Sequence, residues 1–525
     1  MKNKHQKFQN ALRYLQVKDL NSAKKELDQI IHLDNKNTKV LSLLCLIAFQ
    51  KKEYESALLY ANQSLLYDPY DSNVTNLRGM IYQKIGNNGE AKKDYEKAIR
   101  LNPALKEARY NLIKLFINEH KYDQAIAYLN PLVKLKDQNA LLDLAIIYLN
   151  HAKQFSESLK LFELFIKNNQ ADKRGYLGKI RALNYLNRNS EAIIFCDVFE
   201  QKFTENDEEF LNYKGIIYKE NEDYANAEIY FKKALKIKDN ESIRRNLSGV
   251  YLLNKQFDKG WFYFTEKKNH GLKNIPDNSS IIFIANQGIG DQLLYVKIIH
   301  QIEKYSSYNI QIDIDQRLHN IIKIKYPNLK IYNSEERETN KIITNISNAP
   351  FVLNEIAKRK NKTFNEIMDS KVIKFDDNKK IKKIGIAWKS TNPNIGTYKT
   401  IDLNLLINSL KGKEIYSLQY FDDMSEIKSL PQCLIFKKDI NYKNDIGKLY
   451  EIMLDLDLIV TISNFTAHLA GFFDIPTILL IPKGKGNIWY WHNEKESFWY
   501  PSIKIIKQKK SGDWSTVKDE IESLL

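Results

Sequence analysis

Between 286 and 291 the chain reads Asn286, Gln287, Gly288, Ile289, Gly290, Asp291, after the apolar run 281–285 and before the helical pattern 293–302. Glycines at a strand-to-helix turn let the backbone fold sharply and bring a ligand against a helix N-terminus, where free amides favour an anion. A dinucleotide fingerprint needs a third glycine, which is missing, so nicotinamide binding is not expected. Asp291 keeps two readings at this level: a helix N-cap, a position that favours Asp, or a functional carboxylate. A second strand, turn and helix, IVTISNFTAHLAG at 459–471, sets Asn464, Thr466, Ala467 and His468 where helix amides and the helix dipole could hold a diphosphate.

Other constellations point less far. Asp313 with Asp315, and Asp455 with Asp457, spell the DxD of metal-binding glycosyltransferases, but each pair lies in or beside a predicted strand, where solvated or capping roles suit it better. No HExxH, CxxC or EF-hand spacing occurs, so no metal is implied. Trp489, Trp491 and Trp499 could stack on a base or sugar, or pack the core. Cys45, Cys196 and Cys433 are far apart and odd in number, which argues against a disulfide framework and for a reducing, cytoplasmic setting.

The formal charge of +16 invites a nucleic-acid reading. The lysines are dispersed, however, and no arginine-rich or aromatic-basic motif concentrates them, so nucleic acid is not expected as a partner. Residues 1–10 are polar and no stretch approaches the roughly 20 apolar residues that span a bilayer. A soluble protein is expected, with peripheral membrane contact left open.

The first half of the chain is periodic. Ala23, Ala57, Ala91 and Ala125 recur every 34 residues, and Gly79, Tyr82, Ala91, Tyr95, Ala98 and Pro103 match the tetratricopeptide pattern. The set returns in phase as Gly215, Tyr218, Ala227, Phe231 and Ala234, after a one-residue slip through Ser158 and Ala192. Seven or eight repeats, some sixteen helices, are expected from about residue 8 to about 268, wound as a solenoid whose concave face could recruit a partner. Asn76, Asn212 and Asn246 share one repeat position, three residues before Gly79, Gly215 and Gly249. Either Asn is merely common in this chain, or these amides form an acceptor groove holding an extended peptide, as in the protein O-GlcNAc transferases that the architecture resembles.

From about 275 the pattern turns to short apolar runs alternating with helices, with Pro276, Asp277, Asn278 and Ser279 at the boundary. Strands are expected at 281–285, 310–314 and 330–332, then, beyond a charged stretch at 376–383, at 384–388, 414–418, 458–462 and 477–481. Two Rossmann-like lobes follow, with the site at the carboxyl ends of their strands.

Seven segments in one order carry a resemblance: the GxGD turn ending in Asp291, GIAWKS at 385–390, Lys399 with Thr400, YSLQ at 416–419, LDLDLIV at 454–460, TAHLAG at 466–471 and WYPS at 499–502. With Phe257, Gly260 and Trp261 at the junction, they resemble bacterial tetratricopeptide glycosyltransferases whose catalytic part is similar to the lipopolysaccharide heptosyltransferases, glycosyltransferase family 9. The resemblance implies a tetratricopeptide superhelix over 1–270, then a GT-B pair of lobes, 276–375 on the acceptor side and 381–525 on the nucleotide-sugar side. It matches Asp291 to the catalytic base and Lys399 to a cation near the donor phosphates. Gly288, Gly290, Ser390, Thr391, Asn464, Thr466, Ala467 and His468 complete the expected donor site. Such families carry Asp five residues before the histidine, where it contacts the donor sugar; Ser463 stands there, which points to a sugar other than heptose. The expected activity is metal-independent inverting transfer from a nucleoside diphosphate sugar, with no cofactor, to a protein or glycan hydroxyl. The alternative is an interaction scaffold with an inactive transferase domain.

Overall fold

The computed structural model describes residues 2–203, 207–264, 271–332, 341–368, 380–393, 395–421, 430–437, 440–492 and 494–525. The expected solenoid end at 268–270, the lobe boundary at 375 and the 376–379 part of the charged linker lie outside the described residues.

Sixteen helices, from Lys2–Gln16 to Phe257–Phe264, precede the first strand among the described residues. Local chemistry starts and stops them. Asp or Asn side chains cap many N-termini, as Asp19 accepts from the Ser22 amide and Asn87 from that of Glu90. Each of the eight described hairpins turns through one left-handed residue: Lys18, Lys52, Gly86, His120, Lys153, Asn187, Glu222 and Lys255. That series steps by 34 as far as His120, shortens by one at Lys153, recovers at Glu222 and shortens by one again at Lys255, and its first change traces the slip seen in the sequence. Within a hairpin the small residues make room for rings: a Cβ on Gly79 would lie 2.8 Å from the Tyr95 ring, and one on Gly215 2.7 Å from Phe231. In the slipped register Ser158 is buried and donates to the Ala145 carbonyl at 2.7 Å.

The chain forms two compact units, Met1–Leu186 and Asn187–Leu525. The first is helical hairpins alone, with cores such as Tyr95, Leu112, Phe116 and Leu129. The second holds the remaining five helices of the array and both sheets. Its main core joins Leu252, Phe257 and Trp261 of the last hairpin to Leu293, Ile299, Trp491 and Trp499 of the α/β part.

Both sheets are wholly parallel. The first contains β1 (Ser280–Ile284), β2 (Asn309–Asp313), β3 (Lys330–Ile331) and β4 (Ile342–Asn345), in the order β3-β2-β1-β4. The second contains β5 (Lys383–Ala387), β6 (Glu414–Ser417), β7 (Leu434–Ile435), β8 (Leu458–Ile462), β9 (Thr477–Ile481) and β10 (Ile503–Lys507), in the order β10-β9-β8-β5-β6-β7. In both, winding reverses beside the first strand, between β1 and β4 and between β5 and β8. Ligands of doubly wound sheets bind at the carboxyl end of that switch point. β4, β7 and β10 were absent from the sequence pattern, being short or carrying alternating lysines.

Candidate active site

At the first switch point, Asn286 follows β1 and Ser347 follows β4, and the Asn286 Nδ2 donates to the Ser347 Oγ at 3.1 Å. The helix Ile289–Tyr305 starts here with Gly288 as N-cap and no side-chain cap bond. Asp291 therefore is not the cap that its type allowed; it sits in the first turn with its carboxylate about 30% exposed. It opens onto a cavity of about 390 Å³, lined also by Tyr295, Asn348, Trp489 and Tyr490. Burial raises the carboxyl pKa above its ordinary value, while the Tyr490 hydroxyl and the Lys399 charge act the other way.

At the second switch point, Lys399 ends the short helix Gly396–Lys399 and is only 4% exposed. Its Nζ lies 3.3 Å from the Ser463 carbonyl and 3.5 Å from the Ser463 Oγ, which also accepts the Trp491 indole N–H at 2.7 Å. Burial lowers the ammonium pKa to about 8, and Asp291 is the carboxylate that opposes this. Asn464 is the N-cap of the helix Phe465–Phe472: its Oδ1 accepts from the Ala467 amide at 3.3 Å and from the Thr461 hydroxyl at 3.1 Å. Of the amides expected to hold a diphosphate, that of Ala467 is thus already bonded, and the Thr466 and Ala467 side chains are buried. The Ser390 Oγ accepts from the Asn392 amide at 3.4 Å, and the exposed Thr391 hydroxyl shares a 2.8 Å bond with Tyr420.

The two switch points meet through the helices Ile289–Tyr305 and Phe465–Phe472. Gly290 permits it: a Cβ there would lie 2.9 Å from the His468 Cδ2 and 3.4 Å from the Phe465 Cα. The close approach expected of this glycine is thus to a neighbouring helix. His468, 3% exposed, stands between sheet elements with Nε2 3.9 Å from the Asp291 Oδ1 and Nδ1 3.0 Å from the Tyr500 hydroxyl. Burial, helped by the Lys399 charge, lowers its pKa to about 3, so the imidazole is neutral. With a carboxylate beyond Nε2, the favoured tautomer carries its proton there and accepts from Tyr500.

The remaining candidates separate. Asn76 accepts from Asn111 in the next repeat at 3.0 Å, and Asn212 from Asn246 at 3.0 Å. These amides are partly spent on one another, in two different compact units. Asp315 caps a short helix and pairs with Arg317, and Asp457 accepts from the Lys382 and Lys383 amides. Among the described residues no group of three or more His, Cys, Asp or Glu side chains converges as a metal site. Trp491 and Trp499 are fully buried, whereas Trp489 reaches the cavity. Cys45 and Cys196 are buried thiols whose pKa values are pushed up to about 12 by burial. No described helix is long and apolar enough to cross a membrane.

Sequence reasoning missed Arg245, on the repeat helix Glu241–Leu253, which lines the same cavity as Asp291. No local pattern marks it, because only the tertiary fold brings that helix to the sheet edge.

A tetratricopeptide repeat-like domain model matches residues 3–119, and a tetratricopeptide repeat model residues 209–241. The TPR repeat-containing protein YpiA of Bacillus subtilis (strain 168) is 30% identical over 112 residues, 21% of this chain and 26% of that one. The chain thus spans about a quarter of the length of this relative. Among solved structures, a tetratricopeptide repeat protein from Parabacteroides merdae is 20% identical, covering 47% of this chain and 98% of that one at a TM-score of 0.34. The C-terminal part of a TPR repeat-containing protein from Cytophaga hutchinsonii is 16% identical, covering 46% and 99% at 0.40. The two repeat models fall on helices of both compact units.

Proposed function

We propose that the chain is a glycosyltransferase, which moves a sugar from a nucleoside diphosphate sugar to a hydroxyl with inversion at the anomeric carbon, using helical repeats to engage its partners. The observation that carries this reading is the placement of Asp291. It is a carboxylate at the carboxyl edge of one parallel sheet, open to a cavity, with the buried cation Lys399 acting on it from the carboxyl edge of the other. The motif resemblance to the heptosyltransferases supports it.

In this reaction the acceptor oxygen bonds to the anomeric carbon as the bond from that carbon to the diphosphate oxygen breaks. The hydroxyl proton goes to the Asp291 carboxylate, and the electron pair leaves with the diphosphate. A raised pKa makes Asp291 a stronger proton acceptor than a free carboxylate. The Tyr490 hydroxyl bonds that carboxylate, and His468, neutral and bonded to Tyr500, stands behind it with Nε2 3.9 Å away. Lys399 would neutralise the leaving diphosphate, helped by the Ser390 and Thr391 hydroxyls. Ser463 contributes by what it lacks: an Asp there would pair with Lys399, whereas the serine leaves the ammonium's charge to a ligand. Turnover is therefore expected to survive EDTA.

The second reading, an interaction scaffold, is favoured by the repeat matches, since stacked repeats present extended binding surfaces. Incubating the chain with a panel of UDP-, GDP- and ADP-sugars separates the two. Release of free nucleoside diphosphate supports the transferase; none from any donor, by a folded chain, supports the scaffold.

A further inference from the structure

The cavity beside Asp291 has a mixed wall. Trp489 and Phe264 present rings tilted at 68° with centroids 6.4 Å apart, and Asn286, Gln287 and Asn345 present carboxamides. Asn286 gives its amide to Ser347, and its carbonyl oxygen has no bond among the described residues. Among the described residues of the lining, Asp291 is the one carboxylate and Arg245 the one full cation. Arg245 pairs through Nη2 with Glu241 on its own helix at 2.5 Å, yet its side chain is 63% exposed, and a guanidinium has five N–H donors, so most stay open.

Aromatic faces with carboxamides at their edges suit a ring that carries C–H groups on its face and hydroxyls on its rim. About 390 Å³ falls at the small end of ligand pockets, enough for such a ring, whereas an extended peptide needs a groove along which its backbone can pair. We propose that this cavity is a saccharide subsite in which Arg245, supplied by the repeat array, selects a sugar bearing a carboxylate or phosphate. The assignment of that sugar as acceptor rests on the transferase reading; the pocket and its charge preference do not. On this account the last repeats form part of the site as well as any recruiting surface.

The test compares methyl glucuronide, glucose 6-phosphate and methyl glucoside, with a serine- and threonine-rich peptide as control, by NMR titration of the full chain and of Arg245→Gln. At least one anionic sugar is expected to bind about tenfold or more tighter than methyl glucoside, in keeping with a charge-assisted contact. Which of the two binds tells carboxylate from phosphate. Arg245→Gln should erase the preference. Equal affinity for neutral and anionic sugars, a preference that survives in Arg245→Gln, no saccharide binding, or binding of the peptide alone would each overturn the proposal. Nucleotide-sugar hydrolysis by the wild-type chain is read in parallel: its absence contradicts the transferase reading and leaves the saccharide comparison to be decided on its own result.

Discussion

The Lys399 ammonium lies 3.5 Å from the Ser463 hydroxyl, which is itself held at 2.7 Å by the Trp491 indole N–H, so a buried cation faces a neutral partner. Its pKa is about 8 rather than 10.5, because burial outweighs the attraction of Asp291. For a base lowered by folding, the unfolded chain keeps its proton between about 8 and 10.5, so this group's contribution to stability rises with pH across that window. Anion binding has the opposite sign. Calorimetry with a nucleoside diphosphate should show steady affinity below about pH 8 and a fall approaching tenfold per unit above it. Lys399→Ala should weaken binding about ten- to hundredfold and abolish the slope.

Ser463→Asp offers the converse. A carboxylate at that position would pair with Lys399, raise its pKa and compete with the donor's phosphates. Affinity for a nucleoside diphosphate should drop by about tenfold or more, with the pH break moved upward. Unchanged affinity would mean that Lys399 does not meet the diphosphate.

Gly290→Ala tests the packing role assigned to that glycine. The new methyl would come within 2.9 Å of the buried His468 ring. Overpacking of this kind costs about 1–3 kcal/mol, so a lower thermal midpoint is expected, with turnover falling as Asp291 and His468 are pushed apart. A phosphate-contact role alone would lower donor affinity and leave the midpoint in place.

The periodic part of this chain was legible because its packing is local. Gly79 meets Tyr95 and Gly215 meets Phe231 within single hairpins, so composition at fixed spacing encodes the contact, and even the slip at Ser158 shows in the turn series. The strand and turn motifs likewise read through, since β1, β5, β8 and β9 are continuous apolar runs. What did not read through depends on distant partners. Gly288 rather than Asp291 caps the helix Ile289–Tyr305, Asn464 is engaged as a cap, Ser463 is tied to Trp491, and Arg245 reaches a cavity formed by two later sheets. Residue type allowed each of these roles, and only the tertiary fold chose among them.

That fold also says where the chain can be cut. Leu252, Phe257 and Trp261 lie in one core with Leu293, Trp491 and Trp499, so removal of residues 1–268 strips large side chains from the α/β core. Loss of a buried Phe or Trp costs about 3–5 kcal/mol apiece, against a total stability of roughly 5–15 kcal/mol. A fragment beginning at Asn187, where the compact unit begins, should melt cooperatively and retain nucleoside diphosphate binding, while one beginning at residue 269 should not fold. Circular dichroism melts of the two fragments check this; equal stability would contradict the shared core.

The most direct test of the central claim is the turnover of Asp291→Asn. The carboxylate makes no cap bond, so its amide replacement should leave the fold intact, and it lies apart from Lys399's contacts with Ser463, so donor affinity should barely move. Transfer or hydrolysis of the nucleotide sugar should fall by about two to four orders of magnitude, because an amide cannot accept the proton. Full turnover in the folded Asp291→Asn chain would remove Asp291 from the chemistry and contradict the account.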